Sequence, residues 1–371
     1  MTAIEVAGEL PADLAAMDAA LEALPNHPAV FLLWPRVGRP YLSKTGLLRR
    51  RLLRLLRERA EPSRLLNLRH TVARIEYRLT GSALESAVVH YRQARQLFPD
   101  DYLDLLKLRM PPYIKIILNN EFPRSQVTTQ LTRTQALFFG PFRSRASAER
   151  FEAQFLDLFQ IRRCQEDLQP SPLHPGCMYG EMGMCLRPCQ QVVGPAEYAA
   201  EVGRVREFLH TEGHSLLDSI GRSRDRLSEE MLFEDAARQH KRYEKVADVL
   251  KLRDGLARDV DRLNGVAITR SVAADAVELW LVREGRLLDP RRFSFEVQDG
   301  KILSMDRRLR ETLATAETPP VTVRERQEQL ALLARWYYSS WRDGEWLDFA
   351  EPGDVPYRKL VNAISRVARH E

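Results

Sequence analysis

The sequence predicts an α+β chain assembled from several small modules. Three observations carry that reading. Short apolar runs of strand length, such as 29–33 and 72–79, alternate with leucine-rich stretches of helical period. The segment 164–189 is rich in Pro, Gly and Met, has no periodicity, and holds all four cysteines of the chain. A long charged helical stretch follows, and beyond it short extended runs return. These shifts set the expected modules: an N-terminal helix over 1–24, a small mixed domain over 25–105, and a cysteine region with flanking strands and helix over 106–195. A helical hairpin over 196–262 and a C-terminal α+β module over 263–371 complete the chain.

Each element has a local reason. Leu10, Leu14, Met17, Leu21 and Leu24 recur every three or four residues, and Pro25 and Pro28 end that helix. Ala29–Leu33 and the stretch from Tyr41-Leu42 flank Pro35, Gly38 and Pro40, as in a hairpin of two short strands. Leu47–Arg59 reads as a helix with Leu48, Leu52, Leu55 and Leu56 on one side and Arg50, Arg54 and Arg57 on the other. Val72–Leu79 reads as a strand and Ser82–Phe98 as a helix. Tyr113–Leu118 and Leu137–Phe139 read as strands, followed by a helix from about 146 to 159. From Pro195 to about Asp261 the pattern is helical, with a break near Met231–Phe233 that turns it into an antiparallel pair. Val266–Thr269, Val277–Val282, Leu287-Leu288 and Phe293–Phe295 read as strands, with Glu284-Gly285 as a turn. A last helix holds Leu330, Leu333, Trp336 and Tyr337. The aromatic group Trp336, Tyr337, Tyr338, Trp341 and Trp346 reads as core, with stacking on exposed bases as the alternative.

Composition excludes several classes. Hydrophobic residues make up 44% and charged residues 29%, which fits a globular chain and not a disordered one. No apolar run approaches the ~20 residues that span a bilayer, so no membrane association is expected. Residues 1–20 lack a basic start and an apolar core, so no signal peptide is expected there, and the expected compartment is the cytoplasm. The net charge of +5 conceals an asymmetry. Residues 1–30 carry five acids and no Lys or Arg, whereas 31–150 carry 23 Lys and Arg against 9 Asp and Glu. Such a concentrated excess is the footprint of a phosphate-backbone binder, with Arg49, Arg50, Arg54 and Arg57 as the candidate nucleic-acid contacts.

Cys164, Cys177, Cys185 and Cys189 lie within 26 residues, in the spacing C-x12-C-x7-C-x3-C. Four thiolates in reducing surroundings ligate zinc tetrahedrally or hold an iron–sulfur cluster through one sulfur per iron. Structural zinc favours paired knuckles of two to four intervening residues, and only Cys185/Cys189 approaches that form.

The residues around these cysteines carry a resemblance. Arg163-Cys164, Gly176-Cys177-Met178-Tyr179 and Met184-Cys185-Leu186-Arg187-Pro188-Cys189 resemble the cysteine region of the UvrC family of nucleotide-excision-repair proteins, which implies a [4Fe-4S] cluster, with zinc as the alternative. Upstream, Leu24-Pro25-Asn26-His27-Pro28-Ala29-Val30-Phe31 resembles the opening of a GIY-YIG nuclease domain. Tyr41-Leu42-Ser43-Lys44 resembles its second signature strand, and Leu48-Arg49-Arg50-Arg51-Leu52 the basic helix after it. Tyr113-Ile114-Lys115, Phe122-Pro123-Arg124 and Phe139-Gly140-Pro141-Phe142 are also similar to UvrC segments. Leu227 to Ala237 resembles a UVR motif, the helical hairpin through which the family docks on UvrB. In that comparison Phe233 is the apolar anchor, Glu234 lies beside it, and the small Ala236 and Ala237 permit close helix approach. The resemblance covers about residues 24–260. The family's second nuclease domain and its paired helix-hairpin-helix modules have no matching segment in these 371 residues.

The resemblance implies phosphodiester hydrolysis in DNA with magnesium or manganese. Tyr41 would act as base or water-orienting hydroxyl, while Lys44 and Arg51 would contact the phosphate. Three positions depart from the pattern. Phe31 replaces the first signature tyrosine, Ser43 replaces a glycine, and His90 stands where the family has its metal-binding glutamate, in the run Glu85-Ser86-Ala87-Val88-Val89-His90. Neutral imidazole suits manganese or zinc better than magnesium. Two readings follow: a nuclease with an altered metal site, or a degenerate nuclease fold kept for binding DNA and UvrB.

Overall fold

A computed structural model describes residues 5–9, 14–57, 66–295, 304–314, 320–351 and 353–369. The class is α+β, as expected, with helices and several small antiparallel sheets. The first module is a four-stranded sheet of order β1-β4-β2-β3, formed by β1 (Glu5–Glu9), β2 (Ala29–Pro35), β3 (Tyr41–Thr45) and β4 (Val72–Leu79). The N-terminal segment departs from the helix expected over 1–24. Glu5–Glu9 pairs with β4 as a strand, and the helix α1 covers only Leu14–Glu22. Leu10, the first residue of the expected helical stripe, lies outside the described residues, as do the last two residues of the 47–59 helix.

The central strand β2 is buried along Ala29–Leu33 because both faces of the sheet are covered. Ala29, Phe31 and Leu33 pack on one face with α1 and α2 (Leu48–Leu56), where Leu48, Leu52, Leu55 and Leu56 are buried and Arg49, Arg50 and Arg54 are exposed. Val30 and Leu32 pack on the other face against α3 (Ala83–Leu97). Ser82 caps α3, its hydroxyl accepting from the Glu85 N–H at 3.1 Å. A short helix α4 (Tyr102–Leu106) packs beside it and ends at Lys107 in the left-handed region.

The middle module has the sheet order β6-β5-β7-β8, from β5 (Tyr113–Ile117), β6 (Ser125–Thr128), β7 (Ala136–Gly140) and β8 (Arg258–Asp259). Helix α5 (Arg145–Leu156) starts in a Ser144/Ser147 capping box. A single turn α6 (Met178–Glu181) is the regular α-helix of the cysteine segment, which leads into α7 (Pro195–His210). The stretch expected to be helical from 195 to 261 is divided further than its pattern showed. After α7, Glu212 and Gly213 take positive φ, and α8 (His214–Glu229) and α9 (Phe233–Lys251) form the antiparallel pair. A Cβ at Gly213 would lie 2.6 Å from the Leu250 side chain, so this turn needs glycine for both its φ and its close approach. Tyr198, Val202, Val205, Phe208 and Leu209 place α7 in the core of the middle module. The segment expected to finish the hairpin instead supplies β8, which closes the middle sheet against β7.

The third sheet has the order β11-β10-β9-β13, with β12 also on β10. It comprises β9 (Gly265–Arg270), β10 (Ala276–Arg283), β11 (Arg286–Leu287), β12 (Arg291–Ser294) and β13 (Glu345–Asp348). Helices α10 (Met305–Ala314) and α12 (Tyr357–Arg369) cover one face. Helix α11 (Val323–Tyr337) packs against α3, so one hydrophobic core runs from Val30 through Leu84 and Val88 to Trp280, Leu333 and Trp336. At Gly81 the two modules approach so closely that a Cβ would meet the Ser271 carbonyl carbon at 2.4 Å. No helix among the described residues is long and apolar enough to cross a membrane.

Candidate functional site

The candidate nuclease residues fall into two pairs. Tyr41 opposes Leu33 across the β2–β3 ladder, on the α1/α2 face, and its ring lies 6.2 Å from that of Phe31. Helix α2 carries Arg51 over the same face, where its guanidinium donates to the Tyr41 hydroxyl at 3.3 Å. Lys44 opposes Val30, whose side chain packs on the α3 face. Residues three apart on a strand project to opposite faces, so the pleat separates Lys44 from Tyr41. Lys44 is the neighbour of His90 on α3. Among the described residues, no hydrogen bond or ion pair links the Tyr41–Arg51 pair to Lys44 or His90.

The charge around His90 is positive. Burial pushes the His90 imidazole down to about 4, and Lys44 and then Arg335 of α11 push in the same direction. The ring is therefore neutral at physiological pH. Its Nε2 is buried and has no hydrogen-bond partner. Lys44 reaches the surface, and desolvation by the protein packed around it, then Arg335, hold its ammonium below the usual range. Glu85, the acid nearest in the chain, is turned away. Its carboxylate accepts the Gly81 N–H at 2.8 Å and lies 3.5 Å from Arg78, and its pKa is raised by burial. Arg335 has no counterpart in the sequence reading. It stands 245 residues after His90, and only the packing of α11 on α3 brings the two together.

The other basic candidates are all exposed: Arg49, Arg50 and Arg54 on α2, and Arg57 just past its end. The Arg49 guanidinium also donates to the Glu22 carbonyl at 3.1 Å, which ties α2 to the end of α1.

The cysteine segment is pinned to the middle module by a buried arginine. Arg162 is 1% exposed, and its guanidinium donates to the Phe122 and Glu166 carbonyls and, at 3.5 Å, to Cys164 Sγ. The Arg162 N–H donates to the Tyr198 hydroxyl, which donates in turn to the Pro123 carbonyl. Cys185 and Cys189 are buried, Cys164 is half-buried and Cys177 is exposed. The Arg187 N–H points at Cys185 Sγ, 3.4 Å away. Burial pushes the Cys185 thiol up to about 11 despite that N–H, and the other three cysteines add to the shift, which marks all four as neighbours. Arg187 and Gln191, on either side of Cys189, both take left-handed φ. Among the described residues, no three His, Cys, Asp or Glu side chains are gathered closely enough to hold an ion as they stand. The side chains themselves are of the soft donor type: four thiols, with the Arg162 guanidinium and the Arg187 N–H donating to two of the sulfurs and, among the described residues, no carboxylate hydrogen-bonded to them.

At the tip of the α8–α9 pair, Met231, Leu232 and Phe233 are 76%, 47% and 66% exposed. Glu234 beside them is exposed, Ala236 is half-buried and Ala237 faces solvent.

These features define a chain with an N-terminal sheet module, a cysteine-bearing middle module and a helical pair with an exposed apolar tip. Comparison with known proteins narrows the class. Residues 111–208 match the family model described as "UvrC/Cho excinuclease, middle domain". The chain is 27% identical to UvrABC system protein C of Moorella thermoacetica, over 85% of this chain and 52% of that protein. It is 25% identical to the protein of the same name from Lachnospira eligens, over 76% and 46%, and 22% identical to that of Dehalococcoides mccartyi, over 95% and 58%. No solved structure matches it. The resemblance read from the sequence thus holds: the chain is similar to UvrC proteins along most of its length. It spans about half the length of the curated relatives it matches.

Proposed function

We propose that this chain is a DNA-repair protein of the UvrC type whose nuclease-like module binds DNA and partner protein without cutting. The observation that carries this reading is the charge around His90. A neutral imidazole occupies the place of the metal-binding carboxylate, with the cations Lys44 and Arg335 as its charged neighbours. A divalent ion there would face two like charges, and among the described residues no carboxylate acts on His90 to offset them, whereas a phosphate would be attracted. The separation of Tyr41 from Lys44 by the strand pleat supports the same conclusion.

Duplex DNA is the proposed ligand of the exposed α2 arginines, and the proposed compartment is the cytoplasm. The apolar tip at Phe233 supports docking of a UvrB-like protein, with Glu234 and Ala236 beside the anchor. We assign Cys164, Cys177, Cys185 and Cys189 to a [4Fe-4S] cluster, with zinc as the alternative. An anaerobically purified sample with broad visible absorbance and stoichiometric iron supports the cluster; zinc alone on metal analysis removes it.

A second reading keeps metal-dependent incision. It is favoured by the intact Tyr41–Arg51 hydrogen bond and by the unpartnered His90 Nε2, a donor suited to manganese. The test is incision of a lesion-bearing duplex preloaded with UvrB, in magnesium and separately in manganese, with Arg51→Ala as control. Absence of cutting in both metals, with binding intact, supports the adaptor. Cutting that disappears in Arg51→Ala overturns it.

A further inference from the structure

A cleft of about 900 Å³ lies where the middle module meets the end of α11. Lys107, Arg109, Arg143, Arg145 and Arg335 line it, and no acidic residue does. All five are exposed. Arg145 pairs with Glu149, but among the described residues Lys107, Arg109, Arg143 and Arg335 have no ion-pair partner. The positive end of α5, at Ser144 and Arg145, forms part of the same wall and adds to its field.

The cleft continues into a second of about 580 Å³ that shares Arg143, Tyr338, Ser339 and Ser340 and adds Arg342. Its one carboxylate, Asp254, already accepts from the Arg143 N–H and the Ser147 hydroxyl, each at 2.7 Å. The shared floor is rigid. The Tyr338 hydroxyl donates to the Pro141 carbonyl at 2.8 Å, and the Arg143 guanidinium sits 5.5 Å over the Tyr338 ring. Trp341 lines neither cleft, but it follows Ser340 and precedes Arg342 in the chain, and it is 87% exposed, with its indole in no core cluster.

We propose that this pair of clefts is a channel for single-stranded nucleic acid, with Lys107, Arg109, Arg143 and Arg342 on its phosphates and Trp341 stacking on a base. The volume is that of a small-molecule site, about 300–1,000 Å³. It has room for a few unstacked nucleotides. Unpaired cations interleaved with an exposed aromatic ring are what a sequence-tolerant single-strand site requires. The channel is distinct from the α2 arginine face. The proposal rests on the reading of the chain as a DNA binder and adds to it where a displaced single strand would run.

The experiment measures binding of labelled oligothymidylate and of a labelled duplex by fluorescence anisotropy across a salt series. It uses the full chain, Lys107→Gln/Arg109→Gln, Trp341→Ala, Trp341→Phe and Arg50→Gln/Arg54→Gln. Loss of two phosphate contacts is expected to lower the single-strand salt slope by about 1.4, at roughly 0.7 per contact. Trp341→Ala should weaken single-strand binding roughly five- to hundredfold, with partial rescue by Trp341→Phe. Duplex binding should respond to the α2 pair and not to these variants. Wild-type binding of both ligands with unchanged single-strand affinity in the cleft variants overturns the channel alone. No binding of either ligand by the wild type overturns the DNA-binding reading and the channel with it. Thermal melting of each variant at the wild-type temperature ties any loss to the site, since the substituted side chains are exposed.

Discussion

Removing the Glu328 carboxylate should loosen the joint between the nuclease-like module and the C-terminal module. Glu328 lies on α11 and is 1% exposed. It accepts the Tyr91 hydroxyl of α3 at 2.6 Å, the Tyr102 hydroxyl of α4 at 2.6 Å, and the Arg324 Nε–H at 3.0 Å. Both tyrosines are buried, and burial together with the carboxylate holds the Tyr91 phenol firmly protonated. Glu328→Ala leaves two buried hydroxyls without an acceptor, at about 1–3 kcal/mol each. Removal of a buried charge returns part of that cost, so the expected net loss is about 3 kcal/mol. Against a typical stability of about 5–15 kcal/mol this is a large fraction. Tyr91→Phe and Tyr102→Phe each leave the carboxylate a donor and should cost about 1 kcal/mol. Urea unfolding followed by circular dichroism and by tryptophan fluorescence measures all three, and the double variants give the coupling. A Glu328→Ala loss below about 1 kcal/mol would refute the claim that this network joins the modules.

Other expectations follow from the same geometry. Glu85 has a raised pKa because it is buried, with Glu278 nearby outweighed in part by the Gly81 N–H and Arg78. Its folded pKa therefore exceeds the unfolded one, and stability present below the unfolded value is lost as pH rises through the folded value. Glu85→Gln should flatten that fall, gaining on the wild type at about pH 7 but not at about pH 4; an equal urea midpoint difference at both pH values would count against it. Phe233→Ala should leave melting within about 0.5 kcal/mol, because the ring is exposed, yet weaken UvrB capture by about 2 kcal/mol, roughly thirtyfold, in a titration. Cys185→Ala should lower both the melting temperature and the bound metal. Normal melting with unchanged metal content would remove the cysteine site from the account.

Much of this protein is legible without its fold. The strand at 72–79 and the helix from Ser82 to Phe98 appear where the pattern puts them, because alternation and an N-cap serine are local signals. The cysteine grouping and the family resemblance are legible for the same reason: short spacings survive in linear order. Glu5–Glu9 was not legible as a strand, since its partner β4 lies far along the chain and nothing local distinguishes it from the start of a helix. The turn at Gly213 was hidden inside a stretch whose apolar spacing stays helical on both sides.

The sequence by itself determined which residues are basic, where the thiols cluster and which positions depart from the nuclease pattern. The tertiary structure decided which charges share a space. The pleat of β3 sends Tyr41 and Lys44 to opposite faces, and the docking of α11 on α3 sets Arg335 beside His90 and opens the basic cleft beyond it. Periodicity reports which side of an element is buried. Which distant element buries it is set by the packing of whole modules, and the electrostatics of the site follow from that choice.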